Sequence, residues 1–129
     1  MTYSVVFTQH ALADLRLAAD YIEYDLCNVT ASHKLVQNFF AQGDSLELFP
    51  GMGSLCNDEY LQSLEIRFVP VNNYLLFYIV REGARTVYVL RFLYSRRNWQ
   101  NILCKQLEDE VFDLTTHYIQ EETEKYGAK

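Results

Sequence analysis

One stretch constrains the fold of this chain more than any other. Tyr74 to Arg81 is a nearly continuous apolar run, Glu82-Gly83-Ala84-Arg85 follows, and Thr86 to Tyr94 is apolar again. Two β-prone runs joined by a short, glycine-containing link read as a hairpin, with Gly83 as the expected positive-φ position. The first run is apolar on both sides, as a central strand must be. Upstream, Leu64, Ile66 and Phe68 alternate with Glu65, Arg67 and Val69. That period of two makes a third strand with one core-facing side, ended by Pro70 and Asn72-Asn73. Strands joined by such short links pair antiparallel.

The N-terminal half follows a different period. Tyr3 to Phe7 reads as a short strand, and Thr8 as the N-cap of a helix. Leu12, Leu15, Ala19, Ile22 and Leu26 recur at steps of three and four, making one apolar stripe, with Asp14, Arg16, Asp20 and Glu23 on the other side. A second helix is expected from Thr30 or Ser32, with Thr30 as cap. It carries Leu35, Val36, Phe39, Phe40 and Leu46 and ends near Phe49, because Pro50 cannot continue it. The short link between the helices predicts an antiparallel helical hairpin. Gly51 to Leu61 reads as a polar loop, and Trp99 to Ile119 returns to helical spacing through Leu103, Leu107, Val111, Leu114 and Tyr118. The order β-α-α-β-β-β-α describes an α+β fold: an antiparallel sheet of about four strands, the helical hairpin packed on one face, and an extended C-terminal helix. The opening strand joins the same sheet, since a lone strand leaves its backbone groups unsatisfied. Residues 1–103 form the core, and 104–129 an acidic amphipathic helical extension.

At 129 residues the chain is one domain's length, and its 50% apolar content supplies a core. No apolar stretch approaches a membrane span, and MTYSVVFTQH lacks the basic and small-residue features of a signal peptide. Cys27, Cys56 and Cys104 are odd in number and form no C-x-x-C pair. A reduced, cytoplasmic protein without metal site or cofactor is the expectation. The net charge of −6 excludes indiscriminate nucleic-acid binding. Its distribution is uneven. Residues 60–103 carry six arginines against Glu65 and Glu82, whereas residues 104–129 carry seven acidic residues against three lysines.

Four segments in this order carry a family resemblance: VVFTQHALADLRLAADYI, LELFPGMG, RFVPVNNYLLFYIV and VLRFLYSRRNW. Together they resemble the RelE/ParE toxins of bacterial type II toxin–antitoxin modules, the plasmid-stabilisation group. The resemblance spans Tyr3 to Leu103 and implies a growth-arresting toxin with a cognate antitoxin partner. It implies one of two activities: the expected one is metal-independent, RelE-like mRNA cleavage on the ribosome through an arginine-rich sheet face, and the alternative is ParE-like, non-hydrolytic inhibition of DNA gyrase. In the first, Arg67 and Arg91 match catalytic-surface arginines and Tyr94 an aromatic that stacks on a base or exchanges a proton. Arg96, Arg97 and Arg85 would bind RNA.

That chemistry needs a proton acceptor, a proton donor and cations around the phosphoryl oxygens. Arginine suits the last role, whereas tyrosine ordinarily ionises near pH 10 and is a poor base. Three features weigh against it. Ideal alternation from Thr86 puts Arg91 with Val87 and Val89 and Tyr94 on the opposite face, so a bulge is required to align them. The Gly51–Leu61 loop offers Asp58 and Glu59 but no lysine. No histidine stands near Tyr94 in sequence; His10, His33 and His117 lie on or beside helices. Ordinary structural roles compete as well. Arg67 would pair with Glu65 or Glu82, Arg96 and Arg97 would cap carbonyls, Tyr74, Phe77, Tyr78, Tyr88 and Phe92 would fill the core, and Trp99 would anchor the last helix. The apolar stripe of the C-terminal segment would restrain the toxin from within or make a homodimer.

Overall fold

The computed structural model describes residues 2–105. Residues 1–97 form one compact unit, and a second begins at Asn98. The acidic extension expected over 104–129, with Leu107, Val111, Leu114 and Tyr118, lies almost wholly outside the described residues. Residues 99–105 are helical, as the spacing predicts.

The first unit is built as β1 (Ser4–Phe7), α1 (Gln9–Asp20), a π-helical turn (Tyr21–Asp25), α2 (Val29–Leu48), β2 (Ser54–Leu55), α3 (Glu59–Ser63), β3 (Arg67–Val71), β4 (Tyr74–Arg81) and β5 (Thr86–Tyr94). The five strands form one sheet in the order β1-β5-β4-β3-β2. It is α+β, as expected, but the sheet is mixed. β1 runs parallel to β5, with Ser4 opposite Thr86, while every other pair is antiparallel. β1 and β5 are not joined by a hairpin: both long helices and three strands lie between them, so no tight turn imposes the antiparallel direction that the β3–β4 and β4–β5 links do.

Thr8 caps α1 as the sequence predicts, its Oγ1 accepting from Ala11 N–H. The buried stripe of α1 differs from the expected one. Ala11, Leu15 and Ala18 are buried, with Ile22 packed against the same core, while Leu12 and Leu26 are exposed. Alanines mark where the helix lies closest to the sheet, and counting leucines alone rotates the stripe. The turn between helices puts Cys27 at φ 51. Asn28, not Thr30, caps α2 by accepting from Ala31 N–H. Ser32 Oγ, early in α2, donates to Ala19 O, late in α1, so the helices fold back as a hairpin. α2 ends at Leu48, before Pro50.

The expected polar loop is partly ordered structure. Asp58 accepts from Tyr60 and Leu61 N–H and starts the one-turn helix α3. Glu65 follows at φ 61, which delays the strand expected from Leu64 until Arg67. In the β4–β5 link the left-handed residue is Arg85, at φ 47, and not Gly83. Asn72, at φ 55, sits in the two-residue β3–β4 turn, where asparagine tolerates that conformation.

The core lies between the helices and one sheet face: Leu35, Phe39 and Leu46 of α2 meet Val69, Leu76, Tyr78, Val87, Val89 and Phe92. Val69 and Val71, rather than Phe68, turn toward it. Leu75, Phe77, Ile79, Tyr88 and Leu93, which alternate with these positions, are buried as well. This explains why β4 reads as an unbroken apolar run.

Candidate functional site

β5 positions most of the candidate residues, and its register is not ideal. Tyr78 pairs with Val89 and Phe77 with Arg91, leaving Leu90 as an extra residue in a bulge. The bulge puts Phe92 and Tyr94 in phase with Val87 and Val89, the change of face needed to bring Tyr94 onto the helical side. Thr8 and Asp14 satisfy the distorted backbone. Thr8 Oγ1 donates to Val89 O at 2.8 Å and Leu90 O at 3.2 Å, and Asp14 Oδ2 accepts from Phe92 N–H at 3.0 Å.

Arg91 is drawn to the same carboxylate. Its Nε donates to Asp14 Oδ2 at 2.7 Å and its Nη2 to Oδ1 at 2.9 Å, a two-pronged pair only 16% and 10% exposed. Sequence periodicity assigns Asp14 to the solvent side of α1. The structure places it beside the Ala11/Leu15/Ala18 stripe, facing β5. The signal was present in those alanines, one turn away on either side.

Arg67 is held elsewhere. Its Nη1 donates to Gly53 O at 2.7 Å, and Gly53 N–H donates to Tyr78 Oη at 2.9 Å. A Cβ on Gly53 would lie 2.6 Å from Tyr78 Oη and 2.7 Å from Phe68 O, so the clasp closes only around glycine. Burial pushes the Tyr78 hydroxyl up from its ordinary pKa, against the opposing pull of Gly53 N–H and the Arg67 charge. Arg67 is level with Tyr78 in the sheet, one strand beyond β4 from Arg91. Arg85 stands at the far end of β5, roughly 30 Å of extended strand from Tyr94. The six candidates therefore do not converge on one anion-receptive patch. Tyr94 and Arg97 come together, Arg96 is exposed beside them, Arg91 is paired with Asp14 nearby, and Arg67 and Arg85 stand apart.

What surrounds Tyr94 is an aromatic cleft. Tyr74 stacks on Phe92 at 5.0 Å between centroids and meets Tyr94 edge-on at 5.6 Å. Tyr21, from the π-helical turn, completes the group. Tyr21, Tyr74 and Tyr94 line two adjoining hollows. One, of about 190 Å³, reaches Asp14 and Arg97, and the other, of about 530 Å³, reaches Ile22, Leu26 and Asn73. Burial raises the Tyr74 pKa, and charge repulsion from Tyr94 and Tyr21 raises it further, since phenolates so close together repel one another. Tyr74 reads as a core residue in sequence; in the structure it is the shared wall of both hollows. Among the described residues, no group of His, Cys, Asp and Glu is arranged to hold a metal ion, and no helix is long and apolar enough to cross a membrane.

The profile of the ParE toxin of the type II toxin–antitoxin system, parDE, matches residues 5–99. The chain belongs to the ParE toxin family. The match takes in β1 through β5 and ends just past Arg97, so the cleft and all six candidate residues of this ParE-family toxin fall inside it. No curated protein matches the chain. Among solved structures, the fold is similar to a chain of the chromosomal ParDE system from P. aeruginosa. That likeness has 20% identity and a TM-score of 0.58, covering 71% of this chain and 95% of that one. A chain of the RelBE2 toxin–antitoxin complex from Mycobacterium tuberculosis is similar at 26% identity with a TM-score of 0.45, over 73% of this chain and 99% of that one.

Proposed function

We propose that this ParE-family toxin arrests growth by gripping a protein target, DNA gyrase by the family resemblance, and not by cutting mRNA. The observation that carries this reading is the Asp14–Arg91 pair. Cleavage through the ribose 2′-OH asks for guanidinium groups directed at the phosphoryl oxygens as charge builds there. Arg91 is instead committed to a carboxylate that also holds the bulge, and Arg67 to the Gly53 carbonyl. Arg96 and Arg97 are left as the exposed cations beside Tyr94, and Asp14, the carboxylate that lines the same hollow, is already paired with Arg91. Such a surface suits binding better than hydrolysis.

A cognate antitoxin is the expected partner. The match to the ParE toxin of a type II toxin–antitoxin system supports it, and the similar P. aeruginosa chain comes from such a system. A cytoplasmic setting follows from either target.

Inducible expression tests the reading. DNA synthesis should fail while messages stay intact by primer extension, and co-expressed antitoxin should restore growth. Codon-spaced cuts in messages after induction would overturn it and return Arg67, Arg91 and Tyr94 to the catalytic roles that the RelE-like alternative gives them.

A further inference from the structure

The exposed apolar side chains gather in two places. One group, Leu48, Phe49 and Met52, lies at the end of α2, near the start of β1. The other follows α1 into the π-helical turn: Leu17, Tyr21 and Tyr24 are exposed by 69%, 51% and 68%, with Leu26 at 55% beyond them. Leu17 and Tyr21 are four apart and share one face of the helical surface. That surface opens directly into the tyrosine cleft: Leu17 and Tyr21 line the smaller hollow, and Tyr21 and Leu26 the larger. Apolar side chains this exposed and this contiguous mark a contact surface.

The charges around the cleft are sorted. Arg96 and Arg97 stand exposed at the β5 end. Asp20, Glu23 and Asp25 stand at the α1 end, where Glu23 accepts from the Tyr24 hydroxyl and holds its pKa above the ordinary value. The larger hollow is of side-chain to small-ligand size and has an apolar floor in Ile22 and Leu26. A surface of tyrosines with arginine at the rim is the composition that concentrates binding energy in protein interfaces.

We propose that this cleft is where the toxin grips its target: a protein segment that sets an apolar or aromatic side chain among Tyr21, Tyr74 and Tyr94, a carboxylate against Arg96 and Arg97, and a basic group against the Glu23–Asp25 rim. The proposal rests on the binding-toxin reading above and names its contact surface. The opposed charges fix the direction in which the segment lies, and their long-range attraction speeds encounter. The inserted side chain supplies most of the grip.

The test uses the full chain in cells, as wild type, Tyr94→Ala and Arg97→Glu. Both residues are on the surface, so each variant should stay folded, with a single cooperative melt, and co-purify with co-expressed antitoxin. Killing after induction should fall about tenfold or more for Tyr94→Ala, the factor set by about 1.4 kcal/mol of lost binding, and by less for Arg97→Glu. Full killing by both folded variants overturns the proposal. Loss of antitoxin co-purification by folded variants also overturns it, because the cleft then belongs to the antitoxin. The binding-toxin reading fails separately: cut messages in cells expressing the wild type would end it, whatever the variants do.

Discussion

Arg67 and Arg97 each lie near a tyrosine, yet the two neighbourhoods are used in opposite ways. At Arg67 the guanidinium, the Gly53 peptide and the Tyr78 hydroxyl close on one another, and the tyrosine is fully buried. At Arg97 the tyrosines turn toward open hollows, and Tyr94 is 41% exposed. The first arrangement resembles a binding site in sequence and is a clasp holding the segment after α2 onto the sheet. The second reads as core aromatics followed by an arginine pair and is the accessible surface. An arginine on a strand becomes available to a ligand only where no internal acceptor reaches it first.

The contrast makes graded predictions. The largest effect belongs to Asp14. Asp14→Ala should cost about 3 kcal/mol in chemical denaturation, because it removes one partner of a largely buried ion pair and leaves Phe92 N–H without its acceptor. Replacing both partners, Asp14→Leu with Arg91→Met, should recover much of that loss, and no recovery would mean the carboxylate acts mainly through the bulge. Gly53→Ala should cost about 1–3 kcal/mol by driving a methyl into Tyr78 Oη and Phe68 O. Tyr78→Phe should cost about 1–2 kcal/mol by leaving Gly53 N–H without an acceptor. Tyr94→Ala should cost about 1 kcal/mol, since it gives up the edge-on contact with Tyr74, and Arg97→Glu about 0.5 kcal/mol or less, as surface substitutions do. A large loss there would erase the distinction between clasp and cleft.

Alkaline titration sharpens it further. Tyr74 and Tyr78 hold their protons more tightly when folded than the ordinary value of 10.0. Their contribution to stability is therefore complete below about pH 10 and lost as pH rises through the raised values. Denaturation midpoints should decline across that window, and Tyr78→Phe should flatten the decline.

The sequence made the sheet legible because β4 and β5 announce themselves through unbroken apolar runs. The two long helices were legible, with the first starting after Thr8 and the second ending before Pro50, whereas the π-helical turn and the one-turn helix α3 were not. What escaped was set by contacts distant in sequence. The parallel pairing of β1, the rotation of the α1 stripe onto Ala11 and Ala18, and the left-handed Arg85 all depend on which surface each element meets. The bulge at Leu90 was demanded by the wish to align Tyr94 with its neighbours, yet nothing local located it; Thr8 and Asp14, far upstream, hold it in place. At the site, Tyr94 and the Arg96-Arg97 pair were visible as candidates. Tyr21, Tyr74 and Asp14 were not, because each first reads as a core or solvent residue.

The parallel seam between β1 and β5 also governs when the protein comes into being. Thr8 finds its carbonyl partner 81 residues downstream, so the opening strand of a nascent chain waits unpaired until nearly the whole unit has been synthesised. Closing so long a loop is slow compared with forming the helices or the β4–β5 hairpin. Both walls of the cleft, α1 and β5, meet only at that final step. A cell translating this message thus carries no finished weapon until β5 has been made, and an antitoxin that captured the chain earlier would meet its parts before they could assemble.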